Sequence, residues 1–285
     1  MQIVLLLLGI IALLLLSLLA WRSADRRADN LMWRRLASHQ PSSPGFFDPA
    51  LVDDLPEPAR RFFNFSIKPG TPLYTVAAIS MEGELSLGDK DAPDYMSMTA
   101  EQILAAPNGF VWKLKARDGV MRVSGSDAAE DGTSWSRFWL LGMVPVARAG
   151  KNADHSLSAF GRYVAEALIW APAALLPADN VRWESVSEST ARVTVAHMGL
   201  EQAVDLTIDD RGRPTMIAFE RWSDANPGKT FQRQPFGGYL SEYRDFDGYQ
   251  LPTTVEAGNF FATEDYFPFF RVTVTAVRYP DSSEE

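Results

Sequence analysis

Two charged side chains in an otherwise apolar stretch are the first candidates for chemistry. Arg162 and Glu166 lie four residues apart in the sequence RYVAEALIWAPAALLP, so on a helix they can form an ion pair. A glutamate between Tyr163 and Trp170 needs such a partner when it is buried, because an unpaired charge is costly away from water. The pair can fix a helix to a sheet or bind a polar group of a ligand, and the structural role is favoured. If the interior holds a polar anchor for a ligand, we expect it to be Glu166.

The sequence carries none of the common catalytic or metal-binding motifs. It has no Cys, which excludes disulfides, thiolate metal sites and cysteine nucleophiles. His39, His155 and His197 are not at metal-ligand spacing from one another or from a carboxylate. There is no P-loop, GxGxxG, GxSxG or HExxH. We therefore expect a protein that is not an enzyme and that has no cofactor and no metal.

Two acidic clusters have simpler interpretations than a cation site. Asp245 and Asp247-Gly248 imitate the start of a calcium loop, but the distal glutamate is missing and strand-like sequence resumes at once. A hairpin turn is therefore predicted there. Asp127, Glu130 and Asp131 are expected to form a solvated acidic loop.

The N-terminus is predicted to cross a membrane. Residues 3–20 are apolar except for Ser17 and would span about 27 Å as a helix, close to the thickness of a hydrocarbon core. A cleaved signal peptide is less favoured, because no basic residue precedes the run and Leu18-Leu19-Ala20 is a poor cleavage site. The predicted membrane-interface residues follow it: Trp21, Arg22, Arg26 and Arg27.

The charge distribution limits the partners of the chain. The net charge of -9 argues against a nucleic-acid partner, since phosphate neutralisation needs a basic surface. Several arginines follow the apolar run, and only the terminal amine precedes it. By the positive-inside rule this difference favours a cytoplasmic body.

The remaining chain divides by composition. Residues 1–36 are predicted to form the transmembrane and juxtamembrane helix, and the Pro-rich residues 37–58 an unpacked tether. Within PARRFFNFSI, a short helix should dock Phe62, Phe63 and Phe65 on the body. Residues 59–280 are predicted to form a self-contained domain and residues 281–285 a disordered tail.

The domain is predicted to be α+β and mainly β. From about Leu73, some eleven segments alternate apolar and polar residues and are separated by turns such as Asp118-Gly119, which indicates a large curved antiparallel sheet, a half-barrel. The interruption at 157–177 has helical spacing, is predicted to end at Pro172 and should cover the concave face. Trp112 and Trp170 are expected to line the space between sheet and helix.

Several segments resemble an uncharacterised family of bacterial membrane-anchored proteins. They are RYVAEALIWAPAALLP, GFVWKLKA (109–116), LPEPARRFF (55–63) and DFDGYQLPTTVEA (245–257), with the signature RYxxExxxWxPxALLP. The sheet of that family is similar to the half-barrel of the LolA and LppX lipoprotein carriers, which hold lipid between a curved sheet and a helical lid. The resemblance implies a single-pass protein of the bacterial inner membrane with a periplasmic body, against the positive-inside count.

Two functions remain open at this point. In the first, the half-barrel binds a lipid or another apolar ligand, with Arg162, Tyr163, Glu166, Trp170 and Trp112 as ligand or lid residues. In the second, the chain is an accessory subunit of a larger membrane complex, for example photosynthetic or respiratory, with no ligand. The partners are accordingly the lipid bilayer, a bound lipid or other membrane-complex subunits. A cavity under the helix would favour the first and a packed core the second.

Overall fold

The computed structural model describes residues 1–280; the predicted tail, 281–285, lies outside the described residues. A single unbroken helix, α1 (Gln2–Ala37), contains both the apolar run and the residues after it. No residue of its apolar window is buried, whereas Asp25, Asp29, Met32 and Leu36 in its second half are. The first half is therefore free to contact lipid, and the second half belongs to the body.

The body is built on one antiparallel sheet of thirteen strands. The hairpin-connected strands β1 to β6 form one limb and β7 to β13 the other, and the limbs join where β1 pairs with β13. The predicted fold class is confirmed, with two more strands than expected, β5 and β6. The strands are β1 (Ala77–Ser86), β2 (Tyr95–Ala105), β3 (Gly109–Asp118), β4 (Met121–Glu130), β5 (Thr133–Leu140), β6 (Val144–Gly150), β7 (Val181–Ser185), β8 (Thr190–His197), β9 (Leu200–Ile208), β10 (Pro214–Ser223), β11 (Gln232–Phe246), β12 (Tyr249–Asn259) and β13 (Phe267–Arg278).

Tight turns join neighbouring strands where the sequence predicts them. Asp247 and Gly248 have φ of 53° and 95° between β11 and β12, the positive values that such a hairpin needs. Asp245, the first acidic residue of this turn, forms an ion pair with Lys68 at 2.9 Å. The hairpin interpretation of this segment is confirmed.

Two helices pack on the concave face of the sheet. The helix α2 (Glu57–Ser66) places Phe62 and Phe63 against Trp183, as expected of a docking helix. The helix α3 (Ala153–Trp170) begins where the Asn152 side chain accepts a hydrogen bond from the backbone N–H of His155 at 2.8 Å. It starts four residues earlier than predicted and lies between the two limbs, in contact with β9 and β10 on one side and β2 to β6 on the other.

The convex face is covered by the second half of α1. Met32 and Leu36 are fully buried there against Ile103, Val111 and Trp135 of β2, β3 and β5. This limb of the sheet is therefore covered on both faces, by α1 outside and by α3 inside.

Residues 37–58 are packed into the body, which differs from the expected unpacked tether. Phe47 and Val52 are buried in the main core. The Gln40 side chain accepts hydrogen bonds from the backbone N–H groups of Thr75 and Val76, at 2.9 and 3.0 Å. The prolines make the segment stiff, and Phe47 and Val52 between them still reach the core, whereas Phe46 and Leu51 stay exposed.

Candidate functional site

A network of charged side chains lies on the inward face of α3. Arg162 Nε donates to Glu166 Oε1 at 2.7 Å, which confirms the pair expected from their spacing. Arg162 Nη1 donates to Asp127 Oδ2 of β4 at 2.7 Å. Gln102 of β2 donates from its amide to Glu166 Oε2, also at 2.7 Å. The network joins the helix to two strands of one limb.

Asp127 and Glu130 were expected in a solvated loop, and that expectation is wrong. Both lie on β4, and their side chains point to opposite faces of the sheet. Asp127 pairs with Arg162 on the concave face, and Glu130 pairs with Arg35 of α1 on the convex face. These two acidic residues can lie on a covered strand because each carboxylate has a basic partner on its own face of the sheet.

The network is largely removed from water. The side chains of Arg162, Glu166 and Asp127 are 16%, 17% and 21% exposed. Burial disfavours the charged guanidinium, but the charges of Glu166 and Asp127 outweigh it and raise the pKa of Arg162 above its ordinary value. The carboxylate oxygens that Arg162 does not reach accept hydrogen bonds from Gln102 and Ser136, so every oxygen of the two carboxylates has a partner.

A second arginine near this network is Arg221 of β10, on the opposite limb. Within residues 1–280 its guanidinium makes no hydrogen bond or ion pair, and its buried Nε has no partner. The guanidinium carbon lies 4.9 Å from the centre of the Phe236 ring. Burial, together with the nearby charge of Arg162, lowers the pKa of Arg221 to about 10. No sequence pattern indicated Arg221, because its neighbours in space come from other strands and from α3.

Aromatic side chains continue the concave face on both limbs. Phe236 contacts Phe219 and Phe269, with ring centres 5.4 and 6.1 Å apart. Trp112 contacts Phe270 at 6.3 Å, and the Arg162 guanidinium lies 5.0 Å from the Trp112 ring. Phe236, Phe269 and Phe270 are only partly buried. The charged network is thus bordered by a partly exposed aromatic surface.

The remaining predicted ligand residues lie in the packed core. Tyr163 is 4% exposed and contacts Phe160 and Phe110, with ring centres 5.3 and 5.9 Å apart. Trp170 is 1% exposed. The structure therefore brings Arg162, Glu166 and Trp112 together and uses Tyr163 and Trp170 to fix α3 on the sheet.

A serine, a histidine and an aspartate also meet beside this network. Ser136 Oγ lies 3.0 Å from His155 Nε2 and donates to Asp127 Oδ1 at 2.5 Å. In a hydrolytic triad the carboxylate holds the second ring nitrogen of the histidine. Here it holds the serine, and His155 Nδ1 is buried without a partner among the described residues. The described residues therefore lack the carboxylate–histidine contact of a hydrolytic triad.

The predicted membrane-interface residues divide into two groups. Trp21 packs edge-to-face on Trp139 of β5, with ring centres 5.5 Å apart, and Arg22 donates to Ser124 Oγ at 3.1 Å. These two residues hold the body against the first turn after the apolar run. Arg26 and Arg27 are exposed.

Comparisons with known proteins give a family and no function. The model of a family of unknown function, DUF6544, matches residues 45–272. No curated protein matches the chain. Among solved structures, a domain named for outer membrane lipoprotein sorting from Vibrio parahaemolyticus is 11% identical, with a TM-score of 0.39 over 83% of this chain and 94% of its own. A DUF1329 family protein from Desulfovibrio piger ATCC 29098 is also 11% identical, with a TM-score of 0.39 over 82% and 94%. Both scores are too low to support a functional argument.

Proposed function

We propose, from the premise that the chain belongs to the DUF6544 family of unknown function, that it is a membrane-anchored binding protein and not an enzyme. In this proposal residues 3–20 anchor the chain and the concave face of the half-barrel binds an anionic amphiphile. The negatively charged head contacts Arg221, and the apolar part lies on the aromatic surface of Phe236, Phe269 and Phe270.

The unpartnered guanidinium of Arg221 is the observation that carries the proposal. A charged group taken out of water without a hydrogen-bond partner costs free energy, and an acidic partner would recover it. Asp127 and Glu166 do not act as this acidic partner of Arg221. Asp127 already accepts from Arg162 and Ser136, and Glu166 already accepts from Arg162 and Gln102. A carboxylate or phosphate brought by a ligand can accept the free N–H groups in the paired geometry that arginine favours.

The aromatic surface beside Arg221 supports an amphiphile over a small anion. Phe236 is within cation–π distance of Arg221 and contacts two further phenylalanine rings. Burying such rings under an apolar chain is favourable by about 25 cal/mol for each Å² removed from water. The site therefore offers a charged end and an apolar end within one concave surface.

The proposed membrane anchor is supported by the exposure of the apolar half of α1. Its apolar window has no buried residue, whereas the following residues are fixed to the sheet. A bilayer is the environment in which such an exposed apolar surface is stable. Because the residues under α3 are packed as core, the proposal does not use the space beneath the helix that the sequence suggested, and it uses the partly exposed aromatic surface beside Arg162 and Arg221 instead.

Lipid analysis of the purified full chain tests the proposal. The chain is extracted in a mild detergent, and its bound lipids are identified by native mass spectrometry. We expect an anionic amphiphile on the wild type and its loss in Arg221→Met. The matched control is Arg244→Met, because Arg244 also lies over a ring, Phe246 at 4.8 Å, but already donates to the carbonyl oxygen of Thr275 at 2.7 Å.

The outcomes separate the two candidate functions. Arg221→Met should fold at least as well as the wild type, since it removes an unpaired buried charge, so loss of ligand cannot be attributed to unfolding. An Arg221→Met variant that keeps the lipid contradicts the proposal. A wild type that carries no amphiphile but retains stoichiometric membrane-protein partners supports the accessory-subunit function instead.

A further inference from the structure

We infer that the tips of the β3–β4 and β5–β6 hairpins lie in the headgroup layer of the bilayer that α1 spans, where Arg117 and Arg122 contact the phosphates of anionic lipids. The inference rests on the membrane anchorage proposed above. It adds a second contact between body and bilayer that the apolar run alone does not require.

The position of β4 beside α1 sets the height of these tips. Arg22 bonds to Ser124 at 3.1 Å near one end of the contact, and Arg35 bonds to Glu130 at 2.8 Å near the other. At the usual rise per residue the two segments each cover about 20 Å, so strand and helix run side by side. The residues of β4 before Ser124 therefore extend towards the apolar half of α1.

The β3–β4 tip reaches beyond the start of the interface. Strand rise carries Val120 about 13 Å past Ser124 in the direction of the apolar run. Arg22 also donates to the carbonyl oxygen of Gly142, which places the β5–β6 tip at the first turn after that run. Arg122 and the β5–β6 tip thus lie where the headgroups of a bilayer around residues 3–20 would be, and Val120, at the end of the β3–β4 hairpin, reaches past them to the acyl chains.

The tips expose apolar side chains that suit this layer. Val120 is 90% exposed and Met121 47% exposed on one hairpin, and Leu141 and Met143 are 53% and 46% exposed on the other. Four exposed apolar side chains on two adjacent tips are unusual for a surface that meets only water. In the interface they are partly removed from water without a protein partner.

The charges behind the tips favour anionic lipid. Arg117 and Arg122 are directly opposite each other on β3 and β4, both are exposed, and within residues 1–280 neither forms an ion pair. Like charges at such a pair of positions repel each other. A lipid phosphate between Arg117 and Arg122 would attract both guanidinium groups and so offset their mutual repulsion.

A groove continues this basic surface away from the tips. It has a volume of about 1530 Å³, lies between residues 22–30 of α1 and the convex face, and includes Arg117 and Arg122 in its walls. Arg26 and Lys115 also line it, and within the described part of the chain they form no ion pair. Headgroups can therefore enter beside the helix as well as at the hairpin tips.

Spin-label depth measurements on the full chain test the inference. The chain has no native cysteine, so Val120→Cys takes a nitroxide at one site only. The matched control is Thr133→Cys, an exposed site at the opposite end of the β4–β5 pair. Both are reconstituted into phosphatidylcholine vesicles with and without phosphatidylglycerol, and collisions with oxygen and with a water-soluble nickel chelate are compared.

We expect the label at 120 to lose access to nickel and gain access to oxygen, more so with phosphatidylglycerol, while the label at 133 stays in water. Arg117→Gln with Arg122→Gln should abolish the effect of phosphatidylglycerol. The exposed pair Arg211→Gln with Arg278→Gln should leave it intact. A chain that floats with the vesicles while the label at 120 stays in water overturns this inference alone. A chain that does not float overturns the anchorage as well.

Discussion

Asp29 of α1 and Ser126 of β4 are joined by a hydrogen bond of 2.6 Å in which the serine hydroxyl donates to the carboxylate. The indole N–H of Trp135 donates to the same oxygen at 3.2 Å. One turn earlier, Asp25 accepts from Trp139 at 2.9 Å and pairs with Arg148. Two carboxylates on one helix face therefore fix α1 to three strands, so that a tilt of the apolar half of α1 would be transmitted to the body.

Stability should depend on pH through Asp29. Burial raises the pKa of its carboxyl above the ordinary value, against the opposing hydrogen bond from Ser126 and the charge of Lys113. The folded state then favours the protonated form, so this contribution to stability is present below about pH 4 and is lost as the pH rises through the raised pKa. Asp29→Asn keeps the accepting oxygen without the charge.

We therefore expect Asp29→Asn to be more stable than the wild type at pH 7, with the difference disappearing below about pH 4. Urea unfolding of the full chain in detergent at both pH values measures it. Asp118→Asn, in the exposed β3–β4 turn, is the control and should behave like the wild type. A lower stability of Asp29→Asn at neutral pH would show that the charge itself is needed to hold α1.

Removing Arg162, the central residue of the charge network on α3, should destabilise the protein. Arg162→Met leaves Asp127 and Glu166 without their common partner, and breaking a buried pair in this way costs about 3 to 5 kcal/mol. Glu166→Gln leaves Arg162 paired with Asp127 and should cost about 1 kcal/mol. The free energy of unfolding from urea titrations of the full chain measures both.

An exposed pair of the same chemistry is the control. Arg192 and Asp205, on β8 and β9, also form two hydrogen bonds, at 2.6 and 2.8 Å. The Arg192 side chain is 45% exposed, and Arg192→Met should therefore cost no more than about 1 kcal/mol. Equal losses in Arg162→Met and Arg192→Met would mean that the network on α3 is not buried in solution.

The sequence predicted the sheet well where one face is apolar and the other polar. It missed β5 because both faces of that strand are covered, so that Trp135 and Arg137 meet α1 while Ser134 and Ser136 meet α3. A bulge between Phe138 and Trp139 also shifts the alternation. β6 was missed for a simpler reason, since Pro145 and its exposed valines do not read as a buried strand.

The site was predictable only as far as its contacts are local. Arg162 and Glu166 are one helical turn apart, and their spacing was sufficient to pair them. Asp127 and Arg221 come from β4 and β10, at opposite sides of α3, and no periodicity links them to it. Long-range pairing depends on the path of the whole sheet, which alternation alone does not determine.

The core under α3 should behave as a packed core. Trp170 is 1% exposed, and Trp170→Ala is expected to destabilise the protein by about 3 to 5 kcal/mol in thermal or urea unfolding. Trp222→Ala is the control, because that ring is only partly buried and stacks on Phe231 near the surface. A loss for Trp170→Ala no larger than for Trp222→Ala would indicate a ligand cavity beside the tryptophan in solution.

The last prediction concerns where the body begins. The sequence places its start at residue 59, but the structure buries Met32 and Leu36 on the convex face and Phe47 and Val52 in the main core. Each such side chain contributes about 1.5 to 3 kcal/mol when it is fully buried, so a chain of residues 59–285 lacks several times that amount. It also exposes Trp135 and its neighbours to water.

We expect residues 21–285 to give a soluble monomer rich in antiparallel sheet, because only the apolar run has been removed. Residues 59–285 should aggregate or unfold at a much lower denaturant concentration, since few domains exceed a stability of about 15 kcal/mol. Size-exclusion chromatography and circular dichroism with urea titration compare the two chains. Equal stability would mean that the contacts of residues 21–58 with the sheet contribute nothing, and that α1 and the body are independent units in solution.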